Sequence, residues 1–304
     1  DDLSGTPHAS QIPGRAHACG HDGHTTMLLG AAEYLAATRN FAGRAALIFQ
    51  PAEENEGGGR IMVEEGMMDR FAIAEVYGLH NMPGLPEGHI HTNPGALLAG
   101  VDEFTIRIEG VGGHGAMPHE ARDPVLAAAS TVQALQALVS RETDAREPLV
   151  VSVTQIHTGT AMNIVPDHAV LNGTVRHFDP ATQARIKARM AEIADGQARS
   201  FGMTATLDYV DGYPPTVNDP DKAAFAADVA REIGGPEAVN DACPPIMPGE
   251  DFAYMLQARP GAYLFLGQGD TPGCHHPAYD FNDRVAPVGA ALLARIVERA
   301  LPLG

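Results

Sequence analysis

Eight consecutive residues, His17-Ala18-Cys19-Gly20-His21-Asp22-Gly23-His24, bring together three histidines, a cysteine and an aspartate. A hydrophobic core needs no such mixture. Thiolate, imidazole and carboxylate are together the ligands of a borderline-soft divalent ion such as zinc. Cys19 and His21 stand one residue apart, so an extended or looped backbone turns both toward one or two ions. The alternative is an inert buried cysteine beside surface histidines. His24 opens a helix and serves either as a supporting residue or as plain surface. A second knot, Pro51-Ala52-Glu53-Glu54, a lone His80 after Gly78-Leu79, and Cys274-His275-His276 complete the set of candidates. A site assembled from distant pieces of chain follows, with Cys19, His21, Glu54, His80 and His275 as metal-ligand candidates.

Glu53 and Glu54 are neighbours and cannot both ligate one ion in the same direction. One of the pair binds metal while the other faces water acidified by the metal, takes its proton and hands it to a leaving amine. A solvated Glu-Glu-Asn-Glu turn is the ordinary reading of the same residues. Gly112-Gly113-His114-Gly115 reads as a flexible, exposed stretch whose imidazole donates to a developing oxyanion. Asn163 and Arg176 suit a substrate amide and carboxylate, the guanidinium as a bidentate clamp. Each of these three also has a structural reading when taken alone.

The elements that must position these groups can be read from apolar periodicity. Residues 25–38 carry a helical stripe. Residues 45–49 are a continuous apolar run, as in a buried strand of a largely parallel sheet, and would present Glu53 and Glu54 past its end, where open sheets collect ligands. Gly57-Gly58-Gly59 leads into a helix over 60–66, and a strand over 72–79 delivers His80. The pattern changes near residue 99. Alternation over 102–109, a helix from Asp123-Pro124 to 141, strands over 149–156 and 169–176, a helix from Asp179-Pro180 closed by Gly202, and a strand over 204–209 give β-α-β-β-α-β, the ferredoxin-like order. The first pattern resumes with a helix after Asp219-Pro220, another near Glu250-Asp251-Phe252, a strand over 262–267 and a helix over 288–300. The expected fold is α/β in two domains. A doubly wound, mixed-sheet catalytic domain (1–97 and 212–304) carries an inserted ferredoxin-like α+β domain (98–211).

Composition narrows the partners. The formal charge of −18 over 304 residues argues against nucleic acid, whose phosphates it repels. Three cysteines make no disulfide framework and point to a reducing, cytoplasmic setting. The chain shows neither a signal peptide nor an apolar run able to span a bilayer. It opens on Asp1-Asp2-Leu3-Ser4 without methionine, as a fragment or a product missing its first segment would. His-Glu-x-x-His, Gly-x-Ser-x-Gly and Walker-type motifs are absent, and the 57–59 glycines lack dinucleotide-binding spacing.

His17–His24, Gln50-Pro51-Ala52-Glu53-Glu54, Gly78-Leu79-His80, residues 112–119 (GGHGAMPH), Asn163-Ile164-Val165-Pro166-Asp167, Gly173-Thr174-Val175-Arg176 and residues 275–283 (HHPAYDFND) together resemble, in order and over essentially the whole chain, the zinc-dependent amidohydrolase/carboxypeptidase family. The branch is that of hippurate hydrolases, N-acyl-amino-acid amidohydrolases and auxin-conjugate hydrolases. The resemblance implies two divalent metal ions, zinc foremost with manganese, cobalt or nickel as alternatives, in the larger domain. It implies Cys19 as the ligand shared by both ions, with His21, Glu54, His80 and His275 as the others. It makes Glu53 the general base and His114 the histidine that reaches a substrate carbonyl, in related enzymes across a dimer. Asn163 and Arg176 orient substrate, and the smaller domain is a lid that mediates homodimerisation. His276, directly after a ligand position, is a weaker candidate ligand. The resemblance also implies a preceding N-terminal region ending in an Arg-Ala-Asp-Met-Asp-like motif, which has no counterpart here. The expected activity is hydrolysis of N-acyl or N-aroyl amino acids. A dipeptidase or N-acetyl-diaminopimelate deacetylase is the nearest rival, and a non-catalytic metal or peptide binder a more distant one. No membrane partner is expected.

Overall fold

In the computed structural model, which describes residues 1–304, the first helix, α1 (His21–Thr38), begins at His21 and not at residue 25. Gly20 allows the earlier start. Its φ of 96° turns the chain into the helix, and its carbonyl accepts from His24 N–H at 2.9 Å. Gly23, Met27, Ala31 and Leu35 form the buried stripe at intervals of four, the helical repeat. α2 (Gly58–Glu64) also begins earlier than expected, at the glycines themselves, and a short α3 (Met67–Arg70) follows.

Residues 45–49 are not a strand. They join no ladder, and Leu47 and Phe49 remain 40% and 45% exposed. A strand exists only through a partner's hydrogen bonds, and nothing in this chain pairs with the run. β1 (Val76–Met82) starts later than expected and continues past His80, so that histidine sits within the strand and not beyond it. β2 (Ile90–His91) and β3 (Ala96–Leu98) follow.

The middle of the chain is built from β4 (Gly100–Glu109), β5 (Gly113–His114), α4 (Pro124–Ser140), β6 (Val150–Thr158), β7 (Ile164–Val165), β8 (His168–His177), α5 (Pro180–Ser200) and β9 (Thr204–Tyr213). The return consists of β10 (Thr216–Val217), α6 (Pro220–Gly234), β11 (Val239–Asn240), α7 (Ala253–Ala258), β12 (Gly261–Gly267) and α8 (Ala286–Ala300). Asp123, Asp179 and Asp219 cap α4, α5 and α6, each accepting a backbone N–H of the first turn at 2.9–3.0 Å with proline next in sequence. Such a cap is worth about 1 kcal/mol.

Two units can be distinguished. Residues 1–97, 216–245 and 251–304 form one, and residues 98–215 with 246–250 form the other. The first holds a mixed sheet in the order β1-β12-β2-β11. β12 is parallel to β1 and antiparallel to β2, and β11 is parallel to β2. Every residue of β12 is buried, as expected of a strand paired on both sides beneath helices. Its core includes Met27, Val229, Leu264, Leu266, Leu292 and Ile296. The second unit holds an antiparallel sheet, β6-β8-β4-β9, crossed by α4 and α5 in the chain order β-α-β-β-α-β. β4 alternates, burying Phe104, Ile106 and Ile108 against Leu135, Leu138, Leu171, Ile186 and Met190. Residues 246–250 join this unit because Ala99 N–H is shared by the carbonyls of Ile246 and Pro248 at 3.1 and 3.0 Å. No helix is long and apolar enough to cross a membrane.

Candidate active site

His21 and His24 are three residues apart on α1, so their rings lie on one face, with centroids 5.5 Å apart. β1 runs beneath that face and brings His80 to 4.3 Å from the His24 ring and 6.1 Å from the His21 ring. His80 Nδ1 lies 2.6 Å from the carbonyl of Asn81. A carbonyl only accepts, so Nδ1 carries the proton and Nε2 presents its lone pair. That lone pair faces Cys19 Sγ at 3.5 Å. Burial holds the His80 pKa down at about 4, which keeps the ring neutral, the form that ligates. Burial likewise holds His24 well below its ordinary value, with the His80 ring adding to the effect.

The loop after residue 50 brings the carboxylates. Glu54 Oε1 is 3.2 Å from His275 Nε2 and 3.9 Å from His21 Nε2, and Glu53 Oε2 is 3.8 Å from His21 Nε2. His275 is held with φ at 67° and Ala52 at 57°, both in the left-handed region that disfavours residues other than glycine. His275 N–H donates to the Ala18 carbonyl at 2.5 Å, fastening the loop to the residue before Cys19.

The donor atoms gather into overlapping triads, with all ligand atoms in each triad within 4.8 Å of one another: Cys19, His21, His80; Cys19, Glu54, His275; and His21, Glu53, Glu54. Zinc bonds of about 2.3 Å to sulfur and about 2.0–2.1 Å to nitrogen or oxygen set tetrahedral ligand separations of roughly 3.4–3.6 Å. The 3.5 Å between Cys19 and His80 and the 3.2 Å between Glu54 and His275 are close to this spacing. The hydrogen bond with Cys274, then burial and the two glutamates, keep the proton on Cys19, and a divalent cation is what displaces it. The residues therefore fit a metal site; Cys19, His21 and Glu54 each belong to two of these triads, and Cys19 is the one that joins His80 to His275. His276 belongs to no triad, and its Nδ1 instead accepts from Ala278 N–H at 3.0 Å.

Some supporting residues were not singled out from the sequence. Asn81 is fully buried and donates from Nδ2 to Gln268 Oε1 and to the Tyr279 hydroxyl, both at 2.8 Å. Its Oδ1 lies 2.6 Å from His24 Nε2, and its backbone N–H donates to that nitrogen at 3.2 Å. Asp251, also fully buried, accepts from Gly59 N–H at 2.7 Å and from the Gln50 amide, tying both ends of the glutamate loop. The only signal for Asn81 was a polar residue directly after an apolar strand ending in a candidate ligand.

In the second unit, the glycines around His114 lie in an exposed stretch, as read from the sequence, that includes a short two-residue ladder. β5 pairs with β7, placing His114 opposite Ile164, and Gly115 N–H donates to the Asn163 carbonyl at 2.8 Å. A Cβ on Gly115 would meet that carbonyl at 3.0 Å, so the close approach favours glycine. His114 and Asn163 are thus brought together. His114 Nδ1 accepts from Ala116 N–H at 3.1 Å, which leaves Nε2 protonated and donating. Arg176 stands on β8, in register with Val101 and Val150. No carboxylate pairs with it; burial lowers its pKa, opposed through space by Asp102 and Glu103.

The profile of peptidase family M20/M25/M40 matches residues 1–299. The chain is 37% identical to "IAA-amino acid hydrolase ILR1-like 4" of Arabidopsis thaliana, over 97% of this chain and 68% of that protein. It is 36% identical to "Hippurate hydrolase" of Campylobacter jejuni, over 97% of this chain and 77% of that one. A crystal structure from Bacillus subtilis, described as a dinuclear metal binding peptidase from M20 family, superposes with a TM-score of 0.85 at 31% identity, covering 99% of this chain and 77% of that one.

Proposed function

We propose, for a chain that belongs to peptidase family M20/M25/M40, that it hydrolyses the amide bond of N-acyl or N-aroyl amino acids to a carboxylate and a free amino acid. Relatives named for hydrolysis of hippurate and of IAA-amino acids, at 36% and 37% identity, support this reaction class. The observation that carries the reading is the one sulfur, Cys19, linking the His21–His80 triad to the Glu54–His275 triad, with Glu53 in neither of those two and 3.8 Å from His21.

Cys19, His21, Glu54, His80 and His275 would hold two divalent ions, which when bound polarise an amide carbonyl and acidify water. Zinc suits a thiolate-imidazole-carboxylate set, and manganese, cobalt and nickel share it. Glu53 takes the proton of the attacking water and returns it to the departing nitrogen. His114, its Nε2 protonated, donates to the carbonyl oxygen as that atom gains charge. Arg176 clamps the carboxylate of the amino-acid half and Asn163 holds the amide. The region 98–211, an inserted ferredoxin-like domain, serves as lid and as the surface of a homodimer. β6 is an edge strand with Ile156 half exposed, and such an edge calls for a partner or a cover.

The test is turnover of hippurate, N-acetyl amino acids, succinyl-diaminopimelate and dipeptides by zinc- or manganese-loaded protein, beside Glu53→Gln. Glutamine keeps the shape but accepts no proton, so metal content should hold while hippurate turnover falls about 100- to 10,000-fold. Near-wild-type turnover in Glu53→Gln removes the base assignment. Metal uptake with no turnover of any substrate leaves a binding protein.

A further inference from the structure

Cys274 has no part in the chemistry above, yet its sulfur lies against the backbone of Cys19, the residue whose sulfur is shared by two triads. Its Sγ donates to the Cys19 carbonyl at 3.8 Å. On the next residue, His275 N–H bonds the Ala18 carbonyl at 2.5 Å. Two adjacent links therefore pin residues 274–275 onto 18–19. Both thiols are half-buried, whereas Cys243, the third cysteine, is buried elsewhere. A ligating thiolate needs no second cysteine beside it, but two cysteines whose backbones are fastened side by side are the arrangement from which a disulfide closes.

We propose that Cys19 and Cys274 form a reversible disulfide under hydroperoxide, and that closing it removes the sulfur shared by the donor triads and abolishes metal uptake. The proposal rests on the reading of Cys19 as a ligand. Hydrogen peroxide oxidises one thiol to a sulfenic acid, its O–O bond breaking with release of one water. The second thiol attacks that sulfur, the S–S bond forms, and the hydroxyl leaves as a second water. Two electrons pass from two thiols to one peroxide. A dithiol such as dithiothreitol reverses the reaction by exchange, becoming the cyclic disulfide itself. A bound divalent cation occupies the Cys19 sulfur and slows the first step, so loaded protein is protected.

The experiment is thiol counting and peptide mapping of the metal-free full chain after one equivalent of hydrogen peroxide, followed by elemental analysis after exposure to zinc and desalting. The expected result is a fall from three free thiols to one, a Cys19–Cys274 linked peptide, loss of zinc uptake, and recovery of both thiols and uptake with dithiothreitol. Zinc-loaded protein should keep its thiols under the same treatment. Cys274→Ser should take up zinc normally before peroxide and form no linked peptide, while Cys243→Ser should still form it. Three surviving thiols, or a bridge that uses Cys243, overturn the switch. A Cys19–Cys274 bridge that leaves zinc uptake intact also overturns it and removes Cys19 from the ligand set. Absence of the bridge in protein that turns over hippurate overturns the switch alone and leaves the enzymatic reading standing.

Discussion

Gly20→Ala tests how tightly the metal-ligand segment is held by the buried network behind it. Gly20 sits between Cys19 and His21 with φ at 96°. A Cβ there would overlap Asn81 Oδ1 and lie 2.5 Å from the Tyr279 hydroxyl, inside the 3.0 Å limit that real Cβ contacts respect. Asn81 has little freedom to retreat, because it is bonded to Gln268, Tyr279 and His24 at once. The left-handed backbone costs a non-glycine residue about 1–2 kcal/mol, and overpacking of a filled site adds about 1–3 kcal/mol. Gly66→Ala is the control: its φ is 83°, but a Cβ would meet nothing within 4 Å, so only the backbone cost applies. In chemical denaturation of metal-free protein, Gly20→Ala should be less stable than Gly66→Ala by the packing cost, about 1–3 kcal/mol. Displacing the groups that orient ligands should also weaken zinc binding about 10- to 100-fold in Gly20→Ala and leave it unchanged in Gly66→Ala. Equal stabilities and equal affinities for the two variants would show that the network does not constrain the segment.

In the second unit, Asp102 is fully buried. Burial alone would raise its pKa, but bonds from His177, Tyr209, Gly212 N–H and Gln183 outweigh it and hold the carboxyl below its usual range. A depressed folded-state value contributes stability above the unfolded carboxylate pKa, near 4, and loses it as pH falls through the folded one. Asp102→Asn should therefore destabilise the protein by about 3 kcal/mol at pH 7, because an amide donor then meets donors, and the deficit should shrink below pH 4 in denaturation series. A deficit that is constant across that range would exclude the linkage. His275→Gly and His275→Ala both remove the proposed ligand, but only glycine relieves the φ of 67°. Metal-free His275→Gly should be the more stable of the two by about 1 kcal/mol in thermal unfolding, with zinc affinity equally lost in both. Mixing Glu53→Gln with His114→Ala subunits checks whether His114 acts across a dimer. Hybrids should regain one complete site and up to half the wild-type rate, and no recovery despite proven exchange would confine His114 to its own chain.

The starts of three long helices were legible because Asp-Pro is a local signal: the cap bonds span two or three residues and depend on no distant partner. The clustering of Cys19, His21, Glu54, His80 and His275 was legible for another reason. Their residue types stand out beside glycines and apolar runs, so their recurrence there already argues for a site. Residues 45–49 failed because an apolar run signals only burial or pairing, and a ladder depends on a second strand that no local pattern reports. The supporting residues failed because Asn81 meets Gln268 and Tyr279 across 187 and 198 positions, and each is unremarkable by itself. Cys274 was read only as part of a histidine cluster, and its contact with Cys19 lies 255 positions away.

The strained positions give the placement of the ligands a physical logic. Ala52 and His275 have φ at 57° and 67°, and they lie on the two loops that deliver Glu54 and His275 to one another. Neither loop gains that geometry from regular structure. The first is held by Glu56 and Gly57 N–H donating to the Ala52 carbonyl at 3.2 and 3.1 Å, the second by the bond from His275 to Ala18. Strain of this kind costs about 1–3 kcal/mol per residue and persists only where surrounding bonds over-determine it. Asp251 and Asn81, the two fully buried polar groups behind these loops, are placed to do so, one fixing Gln50 and Gly59, the other fixing His24 and Tyr279. The donor atoms are thus positioned by bonds of the fold itself, behind and within the two loops.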